Sequence, residues 1–291
     1  MPHVAFIGLG RMGHGMAGRY LDSGFSVALW NRSRTKADDL IARGARWAQS
    51  PADAARDADA IVTMVADDDA SRSVWLGKDG AAFAAKLDVL AIECSTVSFQ
   101  HACQLANDLT ERGLHYIDCP VTGLPEAAAS GKLTLLVGAD AADLERARPY
   151  LAPIGAAIRH FGPVGAGTVF KLINNLMGAV QIAGLAEGLR LAEAAGLELA
   201  MVQDALSTGA VASPQVVRHS KRMVARDFAG ATFTAALRHK DARYAVELAR
   251  SLQLNLAVGE ATLDVYTQAK AHAPDDDEGR LIEVIGRSKR P

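Results

Sequence analysis

The stretch Val4-Ala5-Phe6-Ile7-Gly8-Leu9-Gly10-Arg11-Met12-Gly13 makes the first decision about the fold. Four apolar residues in a row read as a buried strand, and the GxGxxG that follows opens a segment, Met12–Ser23, with helical spacing. Strand, glycine turn and helix in that order begin a dinucleotide-binding βαβ unit. Gly8 permits the tight turn, Gly10 lets the backbone approach a pyrophosphate, and Gly13 lets the helix lie close on the strand. Leu9, Arg11 and Met12 complete the loop, whose unpaired helix-terminal amides face the phosphate charge.

The next strand, Ser26–Trp30, ends in Asn31-Arg32-Ser33-Arg34. A site for NAD(H) usually carries Asp or Glu here to hold the ribose 2′-hydroxyl. The missing carboxylate removes a repulsion against a 2′-phosphate, and Arg32 can pair with that phosphate bidentately. NADP(H) is therefore the expected cofactor, with NAD(H) possible. A merely basic surface turn is the alternative.

Outward from this unit, apolar runs alternate with helix-like segments. The runs are Val4–Gly8, Ser26–Trp30, Ala60–Val65, Val89–Glu93, His115–Asp118, Leu133–Val137 and Ala156–Phe161. The alternation predicts a doubly wound, Rossmann-type α/β domain of parallel strands over residues 1–163. Beyond Phe161-Gly162-Pro163 the text is helix-forming and shows no strand, which predicts an all-helical domain over 164–291. A long helix, Thr168–Ala195, joins the two, with Gly196 placed to cap it in the left-handed conformation. Gly178, Gly184 and Gly188 inside it each cost about 1 kcal/mol relative to Ala, tolerable if another backbone packs close by, and Asp275-Asp276-Asp277 reads as a solvated loop before a last helix.

The chain has 291 residues, 49% of them hydrophobic and 22% charged, a composition that folds without disulfides or structural metal. A formal net charge of −2 argues against a nucleic-acid or membrane-surface protein. Cys94, Cys103 and Cys119 lack metal-like spacing and suggest a reducing compartment. With no secretory signal, a cytoplasmic location is expected. The uncharged stretch Leu172–Ala186 is shorter than the ~18–20 apolar residues of a membrane span and reads as a buried helix. Pairings of His101 with Cys94 or Cys103 read as packing, Asp67-Asp68-Asp69 as a helix cap near Ala70, and His219, His239 and His272 lack the partners of a triad. Arg238 and Arg243 are open between carboxylate binding and surface pairing.

The proton chemistry of a nicotinamide enzyme needs a donor beside the carbonyl, and the candidate stretch runs from Gly165 to Asn175. Lys171 and Asn175, four apart, share one helix face, with Asn174 near its edge. On spacing alone Lys171 reads more readily as a surface lysine than as a proton donor.

Four motifs together resemble the β-hydroxyacid dehydrogenase family, which includes 3-hydroxyisobutyrate dehydrogenase and the semialdehyde reductases. Gly8-Leu9-Gly10-Arg11-Met12-Gly13 is similar to its GLGxMG opening, and Asp118-Cys119-Pro120-Val121-Thr122-Gly123-Leu124 to its DxPVSGG loop, continued in Ala128-Ala129-Ser130-Gly131-Lys132-Leu133. Gly165 to Asn175 matches GxGxxxKxxNN, and Phe233, Leu237, Lys240 and Asp241 match FxxxLxxKD. The resemblance covers essentially the whole chain.

It implies Lys171 as catalytic acid/base and Asn175, with Asn174, as substrate-positioning partners. It also implies that Thr122 and the Gly123 amide hold a substrate carboxylate. Thr96 would lie near the nicotinamide ribose, Val65 and Ala66 against the cofactor, and Lys240 over cofactor and substrate. The expectation is thus an NADP(H)-dependent oxidoreductase interconverting a small hydroxyacid and its semialdehyde or oxo acid in a cleft between the domains. A homodimer or homotetramer without metal is expected. Leu124 departs from the pattern: if the glycine it replaces normally sits at positive φ, Leu124 must change the loop path, and if not it only narrows the pocket. That departure keeps reduction of an imine or bulkier ketone as an alternative, beside a non-catalytic NADP(H)-binding module.

Overall fold

The apolar runs of the first half of the chain become a nine-stranded sheet in the computed structural model, which describes residues 1–286. At its centre β1 (His3–Ile7) runs parallel to β2 (Ser26–Trp30) on one side and β4 (Ala60–Thr63) on the other. The short β3 (Arg46–Trp47) extends the β2 side, while β5 (Leu90–Glu93) and β6 (His115–Asp118) extend the β4 side. Strand order therefore reverses between β1 and β4, and a crevice opens at their carboxyl ends. β1 sends Val4 and Phe6 to one core and Ala5 and Ile7 to the other. Both faces are covered, by helices that include α1 (Arg11–Asp22), α2 (Asp38–Ala42), α3 (Pro51–Ala55), α4 (Asp68–Leu76) and α5 (Phe99–Thr110). This is why β4 and β5, buried at every position, read as unbroken apolar text.

Past β6 the sheet departs from the parallel expectation. The two-residue β7 (Val121–Thr122) pairs antiparallel with β8 (Leu133–Gly138), which is also antiparallel to β6. β9 (Gly155–Gly162) then returns parallel to β8. Apolar periodicity carries no information on strand direction, so this correction lay outside its reach. Two helices, α6 (Pro125–Ala129) and α7 (Ala141–Leu151), fill the connections.

By packing, the chain divides into two units, Met1–Lys171 and a second beginning at Leu172. The start of α8 (Ala166–Ala194) thus counts with the sheet, to which the Gly165 and Thr168 amides donate at Asp118. The second unit comprises the rest of α8 with α9 (Leu199–Thr208), α10 (Pro214–Ala225), α11 (Ala235–Ser251) and α12 (Ala257–His272). Its core joins Ala179, Ile182, Ala186 and Leu189 of α8 to Met223, Tyr266 and Leu281. Gly196 ends α8 at φ +78°, and the amide of Leu197 reaches back to the Ala192 carbonyl.

Three expectations are corrected here. As a whole, α8 has 29 residues and enough apolar character to pass the length-and-composition test for a membrane span, and 44% of its most apolar window is buried. The stretch Leu172–Ala186, expected to be buried, is buried on one face, which joins the core of the second unit, while Ile173 and Met177 are exposed. Of the helix glycines, a Cβ on Gly178 would meet Arg238 Nη1 at 3.2 Å, whereas Gly184 and Gly188 face open space with no backbone near. Finally, Asp277 and Glu278 are buried, and the expected last helix is a 3₁₀ run, Glu278–Glu283, capped by the Asp277 side chain. Among the described residues of the second unit, strand pairing is limited to one bridge, Thr234 to Asp277.

Candidate functional site

The glycine turn has the stereochemistry that a phosphate cradle needs. Gly8 adopts φ +102°, and a Cβ there would stand 2.3 Å from the Met64 carbonyl oxygen. A Cβ on Gly13 would fall 1.9 Å from the Gly8 carbonyl oxygen, so α1 can pack this closely only on glycine. Gly10 is the opposite case, with open space where its Cβ would be. As N-cap of α1 it brings no side-chain acceptor, and the first turn of α1 holds no acidic residue. The positive end of the helix is left facing that open space, which suits a pyrophosphate. Leu9 is buried, Met12 half-buried and Arg11 exposed.

Asn31 at the end of β2 joins this loop to the turn beside it. Its Oδ1 accepts from the Leu9 amide at 3.0 Å, and its Nδ2 donates to the Ser33 carbonyl at 2.9 Å. The amide predicted to touch cofactor is thus an internal bridge. Arg32, Arg34 and Lys36 are exposed, as is Ser33, whose hydroxyl pairs with that of Thr35. Three cations therefore crowd a turn that has no carboxylate.

The loops after β4 and β5 are zipped together. The Val65 amide donates to Ser95 Oγ at 2.8 Å, and Asp68 accepts from both the amide and the hydroxyl of Ser98, at 2.8 and 2.6 Å. Ala66 is exposed and Thr96 half-buried between these ties. Beneath them lies Glu93, 1% exposed, which accepts from Ser71 Oγ, Trp75 Nε1 and the Ser95 amide. His101 Nε2 pairs with Ser71 Oγ at 3.0 Å, and burial lowers its pKa. Sequence reasoning missed this cluster; its one trace was a carboxylate closing an apolar strand. Asp67 caps α4 by accepting from the Ala70 amide, as its position predicted. No group of three or more His, Cys, Asp or Glu suited to a metal occurs among the described residues.

Residues 118 to 124 form the second part of the site. Thr122 is half-buried on β7, and Gly123 adopts φ +140°, where a Cβ would also collide with Leu133 Cδ2 at 2.7 Å. Leu124 has φ −95° and ψ 171°, ordinary extended backbone, at the N-cap of α6. An apolar side chain 43% exposed is thus presented where the resembled pattern has glycine. Lys171 is half-buried, and its Nζ donates to the Val121 carbonyl at 2.7 Å, one residue before Thr122. The first unit therefore brings together Lys171 and the Thr122-Gly123 loop.

In the second unit, Asn175 is 6% exposed. Its Nδ2 donates to Asp241 Oδ2 at 2.6 Å, its Oδ1 accepts from Asn174 Nδ2 at 3.0 Å, and its carbonyl accepts from Arg238 Nη1 at 2.9 Å. Both ends of the amide expected to position a substrate are thus engaged with neighbouring residues. Lys240 pairs with Asp241 at 3.1 Å and lies over the Tyr244 ring. Arg238 is not a surface group: it is buried, with the Glu278 carboxylate as its partner. Arg243 pairs with Glu247 one turn on. His219, read as lacking partners, is fully buried between Asp277 and Glu278; burial alone would lower its pKa, but those two acids raise it.

Comparison with known proteins covers nearly the whole chain. Residues 3–162 match the family of the NAD binding domain of 6-phosphogluconate dehydrogenase, and residues 165–285 match the NAD-binding family of NADP-dependent 3-hydroxyisobutyrate dehydrogenase. An NAD-dependent L-serine dehydrogenase of Pseudomonas aeruginosa is 35% identical over 91% of this chain and 91% of its own. A 3-sulfolactaldehyde reductase of Escherichia coli is 33% identical over 93% and 91%. Among solved structures, a Mycobacterium tuberculosis 3-hydroxyisobutyrate dehydrogenase with L-serine superposes with a TM-score of 0.88 at 28% identity, over 98% of this chain and 99% of that one.

Proposed function

The chain belongs to the β-hydroxyacid dehydrogenase family, and from that premise we propose that it reduces a small carboxylate-bearing aldehyde or oxo acid, or oxidises the matching hydroxyacid, with Lys171 as general acid/base. The observation that carries the reading is the ammonium of Lys171 held 2.7 Å from the Val121 carbonyl, beside the Thr122-Gly123 loop. A bound nicotinamide dinucleotide supplies or accepts the hydride. Lys171 delivers a proton to the substrate oxygen as negative charge develops there, or removes it in the reverse direction. The Thr122 hydroxyl and Gly123 amide hold the carboxylate as fixed dipoles that need no rearrangement during the reaction. The named substrates of the relatives agree in chemistry: L-serine and 3-sulfolactaldehyde each join an anionic group to a hydroxyl or an aldehyde.

NADP(H) is the cofactor in this reading. Gly8, Gly10 and Gly13 and the start of α1 would receive the pyrophosphate, and Arg32 with its basic neighbours the 2′-phosphate. A homo-oligomer is part of the same reading, supported by the exposed Ile173, Met177 and Leu191 of α8. The test is NADPH oxidation against glyoxylate, succinic semialdehyde and tartronate semialdehyde, followed by nicotinamide absorbance. Lys171→Ala should lose turnover by about 10²–10⁴-fold while NADPH affinity is retained. No turnover with any aldehyde acid, or full turnover by that variant, would count against the assignment.

A further inference from the structure

The start of α8 has an unusual cap. A helix of this kind normally satisfies the amides of its N-cap and third residue with two side chains of its own first turn, in the reciprocal arrangement of a capping box. Here the N-cap is Gly165, which has no side chain to offer, and Thr168 three residues on has no carboxylate. One carboxylate from the end of β6 performs both tasks: Asp118 Oδ1 accepts from the Gly165 amide at 2.8 Å and Oδ2 from the Thr168 amide at 2.7 Å. Asp118 is 0% exposed.

The fit is close enough to dictate the surrounding residues. A Cβ on Gly138 would stand 2.2 Å from Asp118 Oδ1, and one on Gly167 would stand 2.2 Å from the Leu136 carbonyl oxygen. Glycine at both places lets the helix start press onto β8 with the carboxylate between them. One turn after Thr168, Lys171 donates to the carbonyl of Val121, three residues after Asp118. The segment 118–121 is therefore tied to α8 at Gly165, Thr168 and Lys171, and the loop Thr122-Gly123 continues directly from it.

We propose that Asp118 is a positioning residue, which by capping α8 from β6 sets the depth at which Lys171 is presented beside the Thr122-Gly123 loop. This role rests on the acid/base function proposed for Lys171. Oriented groups lose effectiveness steeply with displacement, so a shift of about 1 Å in the helix start is enough to cost on the order of 10²-fold in turnover. Burial supports the assignment, because it pushes the Asp118 carboxyl up to about 6 against the downward pull of the two amides. A carboxylate kept at this desolvation cost marks a constraint stronger than packing.

The experiment compares the wild type with Asp118→Asn and, as a second route to the same displacement, Gly167→Ala, which leaves the carboxylate intact. Asparagine retains one oxygen but turns an N–H toward an N–H of the helix start. Both variants should lower kcat by about 10- to 100-fold, with NADPH dissociation constant within about twofold of wild type and faster amide exchange confined to residues 165–169. Unchanged kcat in both variants overturns the proposal. So does a parallel loss of kcat, NADPH affinity and exchange protection across the whole unit, which is the signature of a residue needed only for folding. Absence of turnover in the wild type itself identifies a failure of the proposed chemistry and removes the role with it. Wild-type turnover with undisturbed variants removes only the role of Asp118.

Discussion

Replacing Glu278 by glutamine isolates the electrostatic strength of the helical unit. Glu278 is fully buried; it pairs with Arg238 Nε, accepts from Arg218 Nη2 at 3.1 Å and lies 3.3 Å from His219 Nε2. Arg238, 5% exposed, uses its remaining reach to hold the Asn175 carbonyl on α8. Glutamine preserves shape and one acceptor but removes the charge, leaving a buried guanidinium without its counter-ion. Breaking a buried pair in this way costs about 3–5 kcal/mol. At about 2–4 °C per kcal/mol for chains of 150–250 residues, the thermal midpoint should fall by roughly 6–20 °C, toward the low end for this longer chain. Circular dichroism melting and urea titration at pH 7 measure the loss. The double variant Arg238→Met with Glu278→Leu should recover part of it, because the Arg238 guanidinium is then no longer stranded, while Arg218 and His219 still lose their acid. A cost below about 1 kcal/mol for Glu278→Gln, or a double variant no more stable than the single one, would refute the argument.

The same carboxyl predicts an acid limb. Burial alone would raise it, but Arg238 outweighs that and holds it at about 2 against an ordinary 4.5. Its stabilisation is therefore complete above pH about 4.5 and disappears as pH falls through about 2, a difference of about 3 kcal/mol that Glu278→Gln should lack in an acid titration of stability. Asp118, raised from 3.8 to about 6, acts with the opposite sign, its contribution weakening as pH rises across that interval. Gly13→Ala places a methyl 1.9 Å from the Gly8 carbonyl and should abolish NADPH binding measured by fluorescence; retained affinity would show that α1 can move away. Arg32→Asp should shift the NADPH-to-NADH affinity ratio by about tenfold or more, equivalent to about 1.4 kcal/mol, and an unchanged ratio would remove Arg32 from the cofactor site. Leu124→Gly, at φ −95°, should leave stability within about 1 kcal/mol but change KM for the carbonyl substrate and not for NADPH. A KM for both substrates that does not move would place Leu124 outside the pocket.

What the sequence made legible follows the range of each physical signal. β1, the glycine turn and α1 are contiguous, and their defining signals, an apolar run, the glycine spacing and a helical period, lie within about twenty residues, so strand, turn and helix could be read directly. Lys171 and Asn175 could be placed on one helix face for the same reason. β7 and α6, two and five residues long, are too short to establish a period. The buried carboxylates escaped for a different reason. Apart from the Ser95 amide beside Glu93, the partners of Glu93, Asp118 and Glu278 lie 18 to 60 positions away, and nothing local distinguishes a buried, paired acid from a solvated one. Leu124 is an intermediate case. Its replacement of a glycine could be read directly, but its extended backbone, φ −95°, is set by the turn into α6 and not by any local pattern.

The bridge made by Asn31 has a practical meaning for anyone wishing to retune coenzyme preference. One amide fastens the backbone of Leu9 to that of Ser33, so under the proposed cofactor reading the turn that would receive the 2′-phosphate is mechanically part of the loop that would receive the diphosphate. Exchanging Asn31 for an acid would delete the donor to Ser33 and loosen the common anchor together with the discriminating turn. Redesign of selectivity is better confined to positions 32 to 34, with residue 31 left as the hinge pin on which both halves depend.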